Sequence, residues 1–431
     1  MRITKVWARE ILDSRGNPTV EAELFTKTKR AREMVPSGAS TGVHEALELR
    51  DGGKRYHSLG VQKAVSNVNT KIARKITGMD CTKQRQIDNT LIELDGTINK
   101  KKLGANAMLA VSLANARLAS KSKKLPMYEY IGKNIVKNKS PCLLPIPFMN
   151  IINGGKHAAT HLAFQEYMIV PAGKTFAESL RIGTEVYHTL KKIIAQKHGK
   201  SQTNVGDEGG FAPDLKKVEE PLRLIMQAAE KLGYRRKIKL ALDIAATSFY
   251  SRKGYFVDDR YMNKYELMDL YKDLVRYYPI ISIEDPFAED DFEAFSEFMK
   301  EKRKSRSKKL RNLQVVGDDL TVTNKKRINK AVKLKACNAL LLKVNQIGTL
   351  TEAIDSAKLA MKNRWKVMVS HRSGETEDHF ISDLAVALNC GQIKAGAPCR
   401  GERTAKYNQL LRIEERLGRK ARYAGRNLKK L

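Results

Sequence analysis

Three acidic residues end three successive apolar segments in the second half of the chain: Asp243, Glu284 and Asp318. If these segments are parallel strands of one sheet, the three carboxylates face a common point. Carboxylates at such short range raise one another's pKa unless a cation neutralises them. A hard cation with oxygen ligands meets that need, and Mg²⁺ is the usual one. Each acid alone is more typical of a helix cap or an arginine pair, but three at successive segment ends favour a metal site.

Two lysines, Lys343 and Lys394, end later segments of the same kind. A lysine beside a metal ion and a second cation has a lowered pKa, which suits a general base. Arg372 and Ser373 follow His371 at another segment end, and with the local backbone N–H groups they would hold an anionic group. Taken alone, a lysine in such a place more often pairs with a neighbouring carboxylate.

Further polar groups lie in glycine-rich or short stretches earlier in the chain. Glu208 lies between glycines, where the backbone can approach a ligand closely. His157 and the pair Gln165–Glu166 place a histidine, an amide and another acid near one another in sequence. Residues 37–42, which include Ser40, are small enough for a flexible lid. The ordinary interpretation of that loop is a surface turn.

The segments that must position these groups are short, apolar and rich in β-branched residues, and they alternate with long amphipathic stretches. Their last residues are 23 to 41 positions apart, about one strand plus one helix. Serial units of this kind predict a parallel sheet that is buried on both faces. An open doubly wound sheet and a closed barrel both fit this alternation. We favour the barrel, because its C-terminal strand ends converge on one mouth.

The first part of the chain has a different pattern. Residues 20–24 alternate as a half-buried strand does, and residues 105–119 form a small-residue helical stretch. A basic, proline-containing stretch at 133–147 is typical of a domain boundary. The sequence therefore predicts a smaller α+β domain over residues 1–137 and an α/β barrel domain over residues 138–431.

The composition excludes several protein classes. The chain has 431 residues, of which 42% are hydrophobic, so it can build a sizeable core. We expect no secretion signal at its N-terminus and no membrane span. Its five cysteines are scattered without a Cys-x-x-Cys pair, which predicts a reducing cytoplasm and argues against zinc or a disulfide framework.

The net charge of +33 comes from 80 Lys and Arg against 47 Asp and Glu. Eight of the twelve residues at 300–311 are basic, as are seven of the sixteen at 416–431. The first run precedes a barrel strand, so we expect it at the end opposite the active site. A solvated basic surface is the ordinary interpretation. The functional one is weak, salt-sensitive binding to RNA, DNA or an anionic membrane, without base-sequence preference.

Long stretches of the chain resemble enolases, and archaeal enolases most closely. These stretches run from residues 9–18 to residues 408–415 and so cover nearly the whole sequence. The motifs that carry the resemblance are Val35-Pro-Ser-Gly-Ala-Ser-Thr-Gly-Val-His-Glu-Ala, Val205-Gly-Asp-Glu-Gly-Gly-Phe-Ala-Pro, Ser282-Ile-Glu-Asp-Pro-Phe, Leu341-Leu-Lys-Val-Asn-Gln-Ile-Gly and Ser370-His-Arg-Ser-Gly-Glu-Thr-Glu-Asp.

The resemblance implies a modified (β/α)8 barrel whose second strand is antiparallel, and an enzyme that interconverts 2-phosphoglycerate and phosphoenolpyruvate. It implies two Mg²⁺ ions, the second of which binds with substrate between the substrate phosphate and the Ser40 loop. It also implies a homo-oligomer, either a dimer or an octamer. The first Mg²⁺ would be held by the three strand-end acids Asp243, Glu284 and Asp318.

The resemblance also assigns roles in the reaction. Lys343 would take the proton from C2, and Lys394 would stabilise the resulting carboxylate dianion. Glu208, with Glu166, would help the 3-hydroxyl to leave as water. His157 and His371 would be further catalytic residues of the active site, and Arg372 and Ser373 would bind the substrate phosphate. The remaining matched positions would contact the substrate directly or through its metal ions: Gln165, Glu284, Asp318 and Ser40.

Four places depart from the enolase pattern. Ser248 stands where the family usually has Glu, and Arg364-Trp-Lys366 replaces Gly-Trp-Gly or Gly-Tyr-Gly. Ala159–Thr160 replaces the Gly-Asn that the family commonly has two residues after the histidine at position 157, and Gly401 replaces a serine. No departure removes a ligand or a catalytic group, so we expect turnover.

Two other functions compete with this interpretation. A related metal-dependent lyase or racemase would have its base at another position and would have no phosphate-binding site. Lys343 and the His371–Ser373 cluster therefore argue against it. A catalytically idle nucleic-acid or surface-binding protein would not need the intact ligand set.

Overall fold

The computed structural model describes residues 1–38, 44–158 and 160–426. Within these ranges no helix is both long and apolar enough to cross a membrane. The N-terminal region begins with a three-stranded antiparallel sheet in the order β1-β2-β3. Its strands are β1 Lys5–Leu12, β2 Pro18–Phe25 and β3 Arg30–Met34.

Five α-helices follow this sheet among the residues described up to the barrel. They are α1 Gln62–Asn67, α2 Ala73–Ile76, α3 Gln84–Asp95, α4 Ala105–Ser122 and α5 Met127–Tyr130. Helix α4 packs on β2 and β3 and buries nearly its whole length, because its many alanines allow close approach. The predicted strand at 20–24 and the predicted helix at 105–119 are both confirmed.

Eight strands close into a barrel in the order β11-β12-β13-β14-β15-β5-β6-β7. They are β5 Ile146–Asn153, β6 Glu166–Pro171, β7 Ile238–Asp243, β11 Ile280–Glu284, β12 Gln314–Gly317, β13 Ala339–Leu342, β14 Lys366–Ser370 and β15 Gly391–Lys394. The short strands β4 Leu143–Leu144 and β16 Arg422–Tyr423 pair with each other, and β8 Tyr250–Ser251, β9 Gly254–Val257 and β10 Arg260–Met262 form a small sheet. The closed barrel is confirmed.

The second barrel strand, β6, is antiparallel to both of its neighbours, as the resemblance implied. Within its described residues the link before β6 carries a 3-10 turn, Gly155–His157, in place of a crossover helix. Two helices then lie between β6 and β7, and the loop between them is tied to β5 by hydrogen bonds between Phe211 and the backbone of Ile151 and Asn153. That loop, which contains Glu208, therefore lies at the C-terminal mouth of the barrel.

Nine helices surround the barrel in the described part of the chain. They are α6 Phe176–His198, α7 Glu220–Lys231, α8 Lys264–Tyr277, α9 Phe292–Lys304, α10 Lys308–Arg311, α11 Lys325–Leu334, α12 Leu350–Lys362, α13 Phe380–Leu388 and α14 Gly401–Leu417. Side chains cap several of them; at α8, Asn263 and Glu266 form a reciprocal capping box.

A pair of glutamines spans the barrel interior. The Gln314 amide donates to Oε1 of Gln392 at 3.0 Å, and the Gln392 amide donates back to Oε1 of Gln314 at 2.9 Å. Gln314 also donates to Oγ of Ser282 at 3.2 Å. Both glutamines are buried, so each amide depends on the other for its hydrogen bonds.

Gln392→Met should lower the free energy of unfolding by about 1–3 kcal/mol, because it leaves the buried Gln314 amide without its main partner. The double variant Gln314→Met/Gln392→Met removes both amides at nearly constant volume and should recover part of that loss. Urea unfolding of the three proteins measures the effect. Additive losses in the double variant would show that the two amides do not depend on each other.

Candidate active site

Strand register places three carboxylates side by side at the barrel mouth. Glu166 pairs with Asp243 across β6 and β7, and Asp243 pairs with Glu284 across β7 and β11. Glu166 is the first residue of β6, and the antiparallel direction of that strand brings its start to the mouth where the other strands end. All three residues are at least 97% buried.

Lys394, the last residue of β15, lies among these three carboxylates. Its Nζ is 2.9 Å from Asp243, 3.0 Å from Glu284 and 3.0 Å from Glu166. Burial opposes its charge, but the three carboxylates outweigh burial and hold its pKa well above the usual value. Lys394 is therefore a fixed cation at neutral pH.

The carboxylates around Lys394 outnumber the cations that neutralise them, since three of them share one ammonium group. Burial, reinforced by neighbouring carboxylates, raises the pKa of both Glu166 and Glu284 well above their usual value. Oε2 of Glu284 is buried without a hydrogen-bond partner among the described residues. A buried carboxylate oxygen beside other acids is a fitting ligand for a hard divalent cation.

Lys343 and Asp318 follow β13 and β12 and form a direct ion pair. The other Asp318 oxygen accepts a hydrogen bond from Gln346 at 2.8 Å. Burial disfavours both charges, but the pairing lowers the pKa of Asp318 and raises that of Lys343. The ion pair therefore favours the protonated form of Lys343. The sequence had predicted the opposite direction, a lowered pKa of Lys343 beside a metal ion.

Asp285, Asp318 and Asp319 have carboxylate oxygens within 4.8 Å of one another, which is close enough to hold a metal ion. Asp285, however, uses one oxygen to accept from the backbone N–H of Asp318 at 3.1 Å and the other to accept from that of Asp319 at 2.6 Å. Its backbone is left-handed, with φ at 41°. These contacts fit a residue that positions the Asp318 loop. Burial, followed by the charge of Asp318, raises the pKa of Asp319 to about 7.

Arg372 faces a carboxylate from the N-terminal region. Its guanidinium contacts both oxygens of Glu45, at 2.9 and 3.3 Å, and donates to Oδ1 of Asn345 at 3.1 Å. The turn after Arg372 is joined to the same region by two backbone hydrogen bonds between Gly374 and Ser37. A side chain at Gly374 would collide with Asp13 and with the Ser37 carbonyl, so this close approach requires glycine. Glu45 is thus an ion-pair partner that sequence reasoning did not assign.

Glu208 and His371 form a second buried pair beside the cavity. Asn150 donates to Oε2 of Glu208 at 3.0 Å, and Nε2 of His371 lies 3.4 Å from the same oxygen. Burial, which Glu208 only partly offsets, lowers the pKa of His371 to about 4. His371 is therefore neutral at physiological pH.

These groups surround a polar cavity of about 160 Å³. Ten of the predicted site residues line it: Gln165, Glu166, Glu208, Asp243, Asp318, Lys343, His371, Arg372, Ser373 and Lys394. Glu284 is in contact with one of these lining residues, Lys394, at 3.0 Å. Ser40 lies outside the described residues, and His157 lies in the 3-10 turn Gly155–His157, where only its backbone is described.

The cavity also contains residues that sequence reasoning left without a role: Glu45, Lys156, Thr247, Ser248, Asp285, Glu289 and Asp319. Glu45 and Asp285 lie inside the quoted motifs, and Asp319 adjoins the predicted ligand Asp318, so the signal for them was present. Ser248, one of the departures from the enolase pattern, lies in the cavity wall.

Comparison with known proteins identifies the family of the chain. Residues 3–131 match the family described as Enolase, N-terminal domain, and residues 141–431 match Enolase, C-terminal TIM barrel domain. The chain is 55% identical over 429 residues to an enolase of Methanocaldococcus jannaschii, with 99% of this chain and 98% of the relative covered. It is 56% identical over 432 residues to an enolase of Thermococcus gammatolerans, with 99% and 98% covered.

A third relative, an enolase of Pyrococcus furiosus, is 55% identical over 434 residues, with 100% of this chain and 98% of the relative covered. Full-length identity at this level, together with both matched domains, decides the family. The chain therefore belongs to the enolase family and is a lyase that interconverts 2-phosphoglycerate and phosphoenolpyruvate plus water.

Proposed function

We propose that the reaction takes place in the 160 Å³ cavity, with Lys343 as the base and Glu208 with Glu166 as the acids. The observation that supports this most directly is that Lys343, Glu166, Glu208 and the Arg372–Ser373 turn all line one small polar cavity. Lys343 takes the proton from C2 of 2-phosphoglycerate, and the electron pair moves into the substrate carboxylate. Lys394, held protonated, stabilises the negative charge that develops there.

The second half of the reaction breaks the C3–oxygen bond and forms the C2–C3 double bond. Glu208 or Glu166 supplies the proton with which the 3-hydroxyl leaves as water. Glu166 suits this role because burial and neighbouring carboxylates raise its pKa well above the usual value, which favours its protonated form. Arg372 and Ser373 bind the phosphate. For this, the Arg372 guanidinium must release its ion pair with Glu45 and donate to the phosphate oxygens instead. His371, Gln165 and His157 complete the contacts.

Mg²⁺ is the proposed cofactor, with Asp243, Glu284 and Asp318 as protein ligands of the first ion and Ser40 as a ligand of the second, which binds with substrate. When bound, the ions would neutralise the substrate carboxylate and share the charge of Asp318. Lys343 forms an ion pair with Asp318 here. If the metal ion took part of the Asp318 charge, that ion pair would weaken and the pKa of Lys343 would fall, as a general base requires. The buried, unpartnered oxygen of Glu284 supports this ligand set.

Three further proposals concern the whole molecule. Residues 1–137 and 138–431 are the two domains, since the π-helical turn Ile131–Val136 ends the first and β4 begins the second. The chain is a homo-oligomer, a dimer or an octamer. It acts in the cytoplasm, where its five free cysteines stay reduced.

Lys343→Ala and Glu208→Gln should separate the two halves of the reaction. Lys343→Ala should lower both C2 proton exchange and phosphoenolpyruvate formation by at least ~10²–10⁴-fold, because the base is missing. Glu208→Gln should slow phosphoenolpyruvate formation much more than exchange, because only the leaving group is affected. Exchange is measured by deuterium uptake into recovered 2-phosphoglycerate, and product formation by ultraviolet absorbance.

A matched control is Lys325→Ala. Lys325 does not line the cavity and forms an ion pair with Asp355 at 3.0 Å, so its removal should leave both rates near the wild-type values. Substantial exchange in Lys343→Ala would rule out Lys343 as the base. Equal losses of exchange and product formation in Glu208→Gln would rule out the division of roles.

A basic groove supports a second function, weak polynucleotide binding. This C-terminal groove of about 630 Å³ is lined by six cationic side chains: Lys133, Lys139, Arg416, Arg419, Lys420 and Arg422. Its single carboxylate, Glu129, is paired with Lys133 at 2.6 Å. Within the described ranges, no acid forms an ion pair with the other five cations.

The basic run at 300–311 has its charges partly committed to the protein itself. Lys302 is buried and donates to the carbonyl of Arg311 at 2.9 Å, and burial lowers its pKa to about 8. Lys309 donates to the carbonyl of Arg276, and Arg311 to that of Ser305. The C-terminal groove is therefore the better site for phosphates. It lies beside β4, at the end of the barrel opposite the mouth.

Arg416→Gln/Arg419→Gln/Lys420→Gln should weaken binding of a mixed-sequence single-stranded RNA. It should also flatten the slope of log affinity against log salt by about 2, since each phosphate contact on a single strand contributes ~0.7. Fluorescence anisotropy over a salt series measures both quantities. The matched control, Arg303→Gln/Lys304→Gln/Arg306→Gln, removes the same charge from the other run. Equal effects from both triple variants, or no binding at low salt, would contradict a site in the groove.

A further inference from the structure

Arg403, in α14, is a buried arginine whose side chain contacts two segments of the active site. It is 0% exposed. Nη1 lies 2.6 Å from Nδ1 of His371 and donates to the carbonyl of Arg372 at 2.6 Å. Nη2 donates to the carbonyl of Asp207 at 2.9 Å and to that of Ser373 at 2.6 Å. Each of these four contacts lies in the turn after β14 or in the Glu208 loop.

The contact with His371 fixes the position of the imidazole proton. A guanidinium can only donate hydrogen bonds, so Nδ1 must accept and carries no proton. The proton of the neutral ring is then on Nε2, the atom that lies 3.4 Å from Oε2 of Glu208. Asn150 donates to the same oxygen at 3.0 Å. Oε2 of Glu208 thus faces two N–H groups.

Oε2 of Glu208 accepts a hydrogen bond from Asn150 and has the Nε2–H of His371 3.4 Å away, so a proton on this carboxyl group is favoured on Oε1. We infer that Arg403 is a positioning residue: it fixes the Nε2–H form of His371 and so favours Oε1 as the place of the Glu208 proton. This inference rests on the proposed role of Glu208 as the acid that protonates the leaving 3-hydroxyl. A proton confined to one oxygen needs no rearrangement before transfer, which favours the reaction.

The charge of Arg403 has a second consequence for His371. Burial and Arg403 both oppose protonation of the ring, whereas Glu208 and Glu375 favour it, and the net pKa is about 4. Glu375 is itself paired with Lys406 at 2.7 Å, which limits its influence. Without Arg403, protonation of His371 should occur at a higher pH and place a cation against Glu208.

Arg403→Met in the Mg²⁺-loaded enzyme should slow phosphoenolpyruvate formation by about 10²-fold while C2 proton exchange falls by less than tenfold. The acid limb of the pH profile for product formation should move upward by at least one pH unit. Arg400→Met is the matched control. Arg400 also reaches the Glu208 loop, through the carbonyl of Gly206 at 3.4 Å, and it donates to the carbonyl of Ser14, but it does not contact His371.

A measurement on the wild-type chain does not depend on how the variants fold. Nitrogen NMR of histidine-labelled enzyme, with His371→Gln to assign the signal, should show Nδ1 without a proton and Nε2 with one, unchanged from pH 8 to pH 5. The opposite tautomer, or titration of His371 in that range, would overturn the inference. So would an Arg403→Met enzyme that folds but keeps the wild-type pH profile.

These results separate the inference from the proposed function. If Glu208→Gln shows no difference between exchange and product formation, the role of Glu208 as an acid is wrong. The NMR result would still decide whether Arg403 fixes the tautomer.

Discussion

The contact of Lys394 with Glu166, Asp243 and Glu284 is the interaction around which the barrel mouth is built. Three strands end or begin in a carboxylate at the same level, and one buried ammonium is within 3.0 Å of all three. Without that cation, the register of β6, β7 and β11 would bring three buried negative charges together. Lys343 pairs with Asp318 in the same way one strand further round. This excess of buried acids is what would attract a divalent cation at the proposed ligand set.

The rest of the chain keeps this cluster buried and correctly oriented. Asp285 holds the backbone of the Asp318 loop, Asn150 holds Glu208, and Arg403 joins the two loops that carry Glu208 and His371. The N-terminal region contacts the mouth through Ser37 and Glu45, and Glu45 contacts the arginine that is proposed to bind phosphate. Under that proposal, phosphate would displace the Glu45 carboxylate from Arg372, which would couple phosphate binding to the position of the N-terminal region.

Much of this could be predicted from the sequence, and what could not has a physical reason. The strand-end acids and lysines were visible because each follows an apolar segment, and convergence of strand ends then favoured a barrel over an open sheet. The reversed direction of β6 came from the resemblance alone, since an apolar segment does not show its direction. Asp285, Glu45 and Arg403 were missed because their roles depend on contacts with distant backbone or side-chain groups. The raised pKa of Lys343 was also missed, because the expectation counted neighbouring cations and not the direct partner Asp318.

With the proposed metal ligands, Lys394 and a divalent cation would neutralise the same buried carboxylates. The most direct test is the thermal stability of wild type and Lys394→Met, each measured in a chelator and in excess Mg²⁺. In the chelator, the variant should lose about 3–5 kcal/mol of stability, because three carboxylates lose their shared cation. Added Mg²⁺ should raise the melting temperature of the variant by more than that of the wild type. An equal or smaller Mg²⁺ shift in Lys394→Met would show that the lysine and the metal ion do not share these carboxylates.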